Sequence, residues 1–260
     1  MTQVETQNFP RALVTGASSG LGREIARILF RKGYAVTLVG RSEAALRALA
    51  AENARAEIFP CDLGRRRETR ALCERLEREP FSAFVHCAGF GAIGEARALA
   101  EETLDFAEVH FSATVLLTCA FLKGLENNRI ENGRALVAAS AAAFAPAPYF
   151  AGYAATKSAE YAWSRALAEE LRAGGSGARV SVLCSGALRT AFDERAGIAA
   201  RKGMNAEKCA KIAVAGMLRG KPLILPDWRA KFGKFFVRIL PERTLVRAAR
   251  RIQSRKRSKS

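Results

Sequence analysis

The chain has 260 residues, 49% of them hydrophobic, which suits one fairly large domain with a real core and argues against disorder. No run reaches the ~18–20 uninterrupted apolar residues of a membrane-spanning helix, MTQVETQNFPR lacks a signal-peptide pattern, and six scattered cysteines beside two histidines point to reduced thiols in the cytoplasm with no dedicated metal site. The net charge of +17 is uneven: residues 228–260 hold 12 Lys/Arg and one acid, Glu242, whereas residues 1–227 hold 30 Lys/Arg and 24 acids, so a mildly basic body carries a strongly basic tail.

Along the chain, apolar runs alternate with segments of helical period. RALVTG (11–16) ends an apolar run in glycine, and GREIARILFRKG (22–33) places Ile25, Ile28 and Leu29 at helical spacing. YAVTLVG (34–40) reads as a strand, EAALRALAAEN as a helix, AEIFPCD as a strand, and RRRETRALCERLEREP as a helix with Ala71, Leu72 and Leu76 inward. FSAFVHCAG (81–89) is a strand, 101–127 a long helix, 133–140 a strand, 152–173 a helix, 178–186 a strand, 206–220 a helix and KPLILP a short last strand. Nearly continuous apolar strands in βαβ order predict a doubly wound, Rossmann-like parallel sheet with its crevice at the carboxyl ends of the strands. The body, 1–227, reads as one domain, and 228–260 as an extension whose last residues, SRKRSKS, are expected to be disordered.

The first strand-to-helix turn, TGASSGLG, spaces glycines as Gly-x-x-x-Gly-x-Gly at Gly16, Gly20 and Gly22. Glycine lets a pyrophosphate approach backbone amides, and the helix N-terminus adds partial positive charge. The second strand ends at Arg41 where an acid would bind a ribose 2′-hydroxyl, and an arginine there favours NADP over NAD. Asp62 follows the third strand and either accepts from an adenine amino group or caps a helix. Tyr153 and Lys157 lie four apart on one helix face. A free phenol titrates near about 10, and a neighbouring cation stabilises the phenolate and lowers that value.

These stretches together resemble the short-chain dehydrogenase/reductase family over residues 11 to about 226. The likeness is carried by TGASSGLG, Asp62, the CAG at 87–89, Ser140 and Tyr153-Ala-Ala-Thr-Lys157, all in family order. It implies an NADP(H)-dependent oxidoreductase interconverting a ketone or aldehyde and an alcohol. Tyr153 would be the general acid, Lys157 would tune it and bind the nicotinamide ribose, and Ser140 would hold the carbonyl oxygen. The cofactor would lie against Gly16, Ser18, Ser19, Gly20, Leu21, Gly22, Arg41, Asp62, Leu63, Ala88, Gly89, Gly186 and Thr190, besides Tyr153 and Lys157. Homodimers or tetramers through 101–127 and 152–173 are implied as well.

Three positions depart from the family pattern. Cys87 stands for an asparagine that braces the sheet. His110 stands where an asparagine anchors a relay water, and either continues the relay or fills the core. Ser185 replaces a proline and leaves φ free. These departures motivate an alternative, a catalytically impaired dinucleotide-binding sensor or scaffold. In the tail, Trp228, Phe232, Phe235, Phe236, Ile239 and Leu240 form one helical stripe and Arg229, Lys231, Lys234 and Arg238 the other; after Pro241, Leu245, Val246, Ala249 and Ile252 oppose Arg243, Arg247, Arg250 and Arg251. Residues 228–252 therefore suit an anionic membrane interface, or a lid or dimer contact on the body; nucleic acid ranks third. The resemblance to family members with a basic, aromatic extension implies a lipophilic carbonyl substrate, and the apolar residues Phe90, Ile93, Leu99, Phe192, Ile198 and Met204 suit one.

Overall fold

Strands that are apolar on both faces can only be satisfied between two layers of helices. The computed structural model describes residues 9–198 and 203–255. In chain order it has β1 (Arg11–Thr15), α1 (Gly20–Arg31), β2 (Ala35–Gly40), α2 (Glu43–Ala50), β3 (Ala56–Pro60), α3 (Arg66–Arg78), β4 (Phe81–His86), α4 (Ala100–Phe106), α5 (Ala113–Asn127), β5 (Arg134–Ala138), α6 (Ala151–Ala173), β6 (Arg179–Leu183), β7 (Leu188–Arg189), α7 (Phe192–Arg195), β8 (Met204–Asn205), α8 (Ala206–Leu218), β9 (Leu223–Ile224), α9 (Trp228–Ile239) and α10 (Glu242–Ser254). Seven strands form one parallel sheet ordered β3-β2-β1-β4-β5-β6-β9. The winding reverses between β1 and β4, which opens a crevice at their carboxyl ends.

Each sheet face has its own core. On one, Val14, Val36 and Leu38 meet Ile25 and Leu29 of α1 and Val214 and Met217 of α8. On the other, Leu13, Phe84 and Val180 meet Leu72 and Leu76 of α3 and Leu117 and Phe121 of α5. Burying each such side chain stabilises the fold by roughly 1.5–3 kcal/mol.

The predicted helix over 101–127 runs as one rod, Ala100–Asn127. Its middle, Ala107–Ser112, is wound as a π-helix between α4 and α5, which apolar periodicity does not reveal. The rod has the length and apolarity of a membrane span, yet Phe106, Leu117 and Phe121 bury it in the core. The last sheet strand is only two residues long, and the short pair β7 and β8 forms a second sheet that the sequence pattern did not indicate. The N-terminal stretch 1–8, residues 199–202, and 256–260 of SRKRSKS lie outside the described residues, as do the side chains of Arg229 and Arg238. No cysteine is paired among the described residues, and no cluster of metal-binding side chains occurs among them.

Candidate active site

The carboxyl ends of β1, β2, β4, β5 and β6 line a cavity of about 830 Å³. At its floor is the turn after β1. Gly16 has a φ of +68°, and a Cβ there would sit 2.8 Å from the backbone of Ala88. Only glycine allows that conformation and that approach together. A Cβ on Gly22 would lie 2.3 Å from the carbonyl of Gly16, so α1 packs directly onto the turn. Ser18, Ser19, Gly20 and Leu21 complete this wall and expose the start of α1 to the cavity.

Arg41 lies at the cavity edge just past β2, with no ion-pair or hydrogen-bond partner among the described residues. Asp62 and Leu63 line the same edge. The Asp62 carboxylate accepts from the Gly64 amide at 3.1 Å, a tight turn of its own, while α3 takes its N-cap from Arg65. Ala88, Gly89, Gly186 and Thr190 also border the cavity.

Three polar side chains converge on the opposite wall: Ser140 after β5, and Tyr153 and Lys157 in the first turns of α6. Ser140 Oγ accepts from the Ala142 amide at 3.1 Å, capping the short turn Ala141–Phe144 and leaving its hydroxyl proton to donate. Tyr153 is held by rings, stacked on Phe150 with centroids 4.3 Å apart and flanked by Phe192 at 5.6 Å. Lys157 Nζ lies 5.8 Å from the Tyr153 ring centroid and donates to the Ala138 carbonyl at 3.0 Å. Lys157 is 3% exposed, and its pKa lies above the ordinary value: burial is the largest single influence and lowers it, but Glu160, Tyr153 and Cys87 together raise it by more.

The sequence profile of a family described as short chain dehydrogenase matches residues 10–201. The chain belongs to the short-chain dehydrogenase family. Among curated relatives it is 34% identical over 165 residues to nodulation protein G of Rhizobium meliloti, covering 62% of this chain and 66% of that protein. It thus spans slightly less than two thirds of that relative's length. It is 31% identical over 192 residues to a putative ketoacyl reductase of Streptomyces coelicolor, covering 71% of this chain and 73% of that protein. A short-chain dehydrogenase from Sphingobium yanoikuyae, solved in complex with NADPH, superposes with a TM-score of 0.78 at 26% identity over 90% of this chain and 97% of that one.

The departures of this short-chain dehydrogenase have structural answers. Bracing between β1 and β4 falls to Thr15, whose Oγ1 accepts from the Cys87 and Ala88 amides at 3.1 and 3.2 Å and donates to His86 Nδ1 at 3.1 Å. His86 Nε2–H donates to the Val109 carbonyl, 3.2 Å away in the π-helical turn. Burial pushes His86 down to about 3, so it is neutral.

His110 is behind Gly89 and Phe90 rather than on the cavity wall. Its Nε2 accepts from the Phe90 amide at 3.2 Å, so its proton is assigned to Nδ1, which donates to Thr156 Oγ1 at 2.8 Å. Thr156 in turn donates to the Tyr153 carbonyl at 3.0 Å. Burial holds His110 well below its usual range. With both nitrogens occupied, His110 is a strut between the β4 loop and α6, and the geometry favours the core-filling reading over the relay. Ser185 is buried, and its carbonyl accepts from the Ala141 amide at 2.8 Å, which ties the Ser140 turn to the end of β6.

The tail contributes a wall. Asp227 caps α9 by accepting from the Ala230 amide at 2.6 Å. Ala230, Gly233 and Val237 of α9 and Ala249, Ile252 and Gln253 of α10 line the cavity. Lys234, expected on the water-facing stripe, instead sits 5.8 and 5.6 Å from the ring centroids of Phe144 and Tyr161. The aromatic stripe faces outward, with Trp228 64% and Phe235 59% exposed. It is therefore not the face that packs on the body. Residues missed from sequence are Thr15, His86 and Glu160; the one available signal was the spacing of Glu160, three residues beyond Lys157.

Proposed function

We propose that this chain is an NADP(H)-dependent reductase or dehydrogenase that interconverts a lipophilic ketone or aldehyde and its alcohol. The observation that carries this reading is the meeting of Ser140, Tyr153 and Lys157 on the wall of the cavity that also holds the glycine turn and Arg41. The site suits a dinucleotide: the Gly16 approach leaves room for a pyrophosphate at the start of α1, and Arg41 has charge to spare for a 2′-phosphate. When bound, the reduced nicotinamide supplies a hydride for the carbonyl carbon. Ser140 donates to the carbonyl oxygen and fixes its position. Tyr153 gives that oxygen a proton, and Lys157 stabilises the phenolate left behind. The apolar residues Phe90, Phe150, Phe192 and Val237 around these groups suit a lipophilic substrate, in keeping with the ketoacyl reductase name of one relative.

Titration with NADPH and NADH, followed by turnover with a panel of long-chain ketones, tests the assignment. Tight NADPH binding is expected in both wild type and Tyr153→Phe, with turnover lost at least 1,000-fold in the variant; unchanged turnover would refute the role of Tyr153. A sensor or scaffold without catalysis is the second reading, favoured by the closed hydrogen bonds of His110; NADPH consumption with any ketone ends it. The outward stripe on α9, beside the cationic residues of the tail, supports peripheral contact with an anionic membrane. Self-association through α5 and α6 is proposed on the family likeness and is read by light scattering.

A further inference from the structure

A buried polar seam runs behind the catalytic wall. On α6 the residues Tyr153, Lys157, Glu160 and Ser164 follow one helical stripe, and all are buried. Facing them are His110, Thr114 and Thr118 on the rod that contains α5, also buried. At the centre is Glu160, 0% exposed, with Oε2 2.8 Å from Lys157 Nζ. Thr114 Oγ1 is 3.4 Å from its other oxygen, but the Thr114 proton is engaged by the His110 carbonyl. The remaining titratable groups nearby are His86 at the end of β4, held neutral by burial, and Cys87 and Cys184, both pushed by burial up to about 12 and so uncharged. Lys157 is therefore the one cation that Glu160 faces among the described residues.

A carboxylate does not enter a protein interior cheaply, and an ammonium does not either. Burial acts on Lys157 more strongly than any other influence and drives it towards the neutral amine. The Ala138 carbonyl is a single dipole, whereas Glu160 brings a full opposite charge into direct contact. A neutral amine would remove the positive charge that Lys157 holds 5.8 Å from the Tyr153 ring centroid. The usual expectation for a glutamate three residues past a helix-borne lysine is a solvated surface pair worth little; here neither partner reaches water.

We propose that Glu160 is a positioning residue that keeps Lys157 charged beside Tyr153. The proposal rests on the reading of Tyr153 and Lys157 as the acid and its cation. It makes the acidity of the phenol depend on a carboxylate that touches neither substrate nor cofactor.

The test needs no substrate. The full chain has four tyrosines, Tyr34, Tyr149, Tyr153 and Tyr161. Tyrosinate ultraviolet absorption is titrated in wild type and in Glu160→Gln, each with and without Tyr153→Phe, so that the difference isolates Tyr153. In Glu160→Gln the Tyr153 step is expected to move up by at least one pH unit. No movement, or movement downward, overturns the proposal; a downward shift would mean that the carboxylate only subtracts from the field of Lys157. Circular dichroism checks the fold. If Glu160→Gln does not fold, Glu160→Asp, which keeps the charge but withdraws it from Lys157, is expected to shift the step upward by a smaller amount, and an unmoved step overturns the proposal. Failure of the wild type to bind NADPH, or full turnover in Tyr153→Phe, would instead defeat the catalytic reading, and the titration does not depend on either result.

Discussion

Acid should weaken this protein through two histidines, with one carboxyl opposing them. His86 and His110 are the only histidines in the chain, and both are buried and neutral, with every ring nitrogen engaged. His86 titrates at about 3 in the fold against 6.5 for a free imidazole, and His110 is likewise held well below its usual range. Between those values the unfolded chain takes up protons that the fold refuses, so stability is complete above about 6.5 and is lost as pH falls towards 3. At 1.36 kcal/mol per unit, His86 costs about 2 kcal/mol between pH 7 and pH 5, and His110 adds a loss of the same sign. Glu160 works the other way. Burial raises it to about 7 against the pull of Lys157, so the fold gains a proton before the unfolded chain does. That returns about 2 kcal/mol over the same interval. His86 and Glu160 nearly cancel over this interval, so the sign of the net change, a loss in acid, is set by His110. Guanidinium denaturation at the two pH values measures it. Replacing His86 by Gln keeps a donor for the Val109 carbonyl and should remove about 2 kcal/mol of the acid loss, whereas Glu160→Gln should deepen that loss by about 2 kcal/mol. Equal slopes in wild type and His86→Gln would refute the reasoning.

Gly16→Ala should destabilise the chain by about 1–3 kcal/mol, because the new Cβ meets Ala88 in a backbone region that side chains avoid; a melting curve reads this, and NADPH binding should be lost with it. Arg41→Ala should weaken NADPH at least tenfold and leave NADH unchanged, a difference read by nucleotide fluorescence; equal losses would remove Arg41 from 2′-phosphate recognition. Wild type should co-sediment with phosphatidylglycerol vesicles and not with phosphatidylcholine vesicles. Changing Phe232 and Phe236 together to Glu should abolish that binding, while a wild type that stays in the supernatant would end the membrane reading.

The sheet was legible because its strands are apolar on both faces and its turns carry glycine. Since every βα turn of a parallel sheet ends at one edge, the residues at those turns meet without further assumption; Gly16, Arg41, Asp62 and Gly89 are brought together that way. What escaped depends on packing. The π-helical turn at Ala107–Ser112 has no apolar period of its own. Glu160 looks like a surface residue until α5 is laid against it. For α9 the two stripes are plain in the sequence, but which one turns inward shows only in the packing, where Ala230 is buried and Lys234 lies against Phe144 and Tyr161.

The wall formed by α9 and α10 lies wholly beyond residues 10–201, the stretch shared with the family. One wall of the cavity is thus supplied from outside that stretch, while Phe90, Phe150 and Phe192 of the same cavity lie within it. Such a layout lets the terminal helices change and reshape the cavity without altering the turn after β1 or the Ser140 turn. Removing residues 228–260 would open that side of the cavity and take the outward aromatic face of α9 with it.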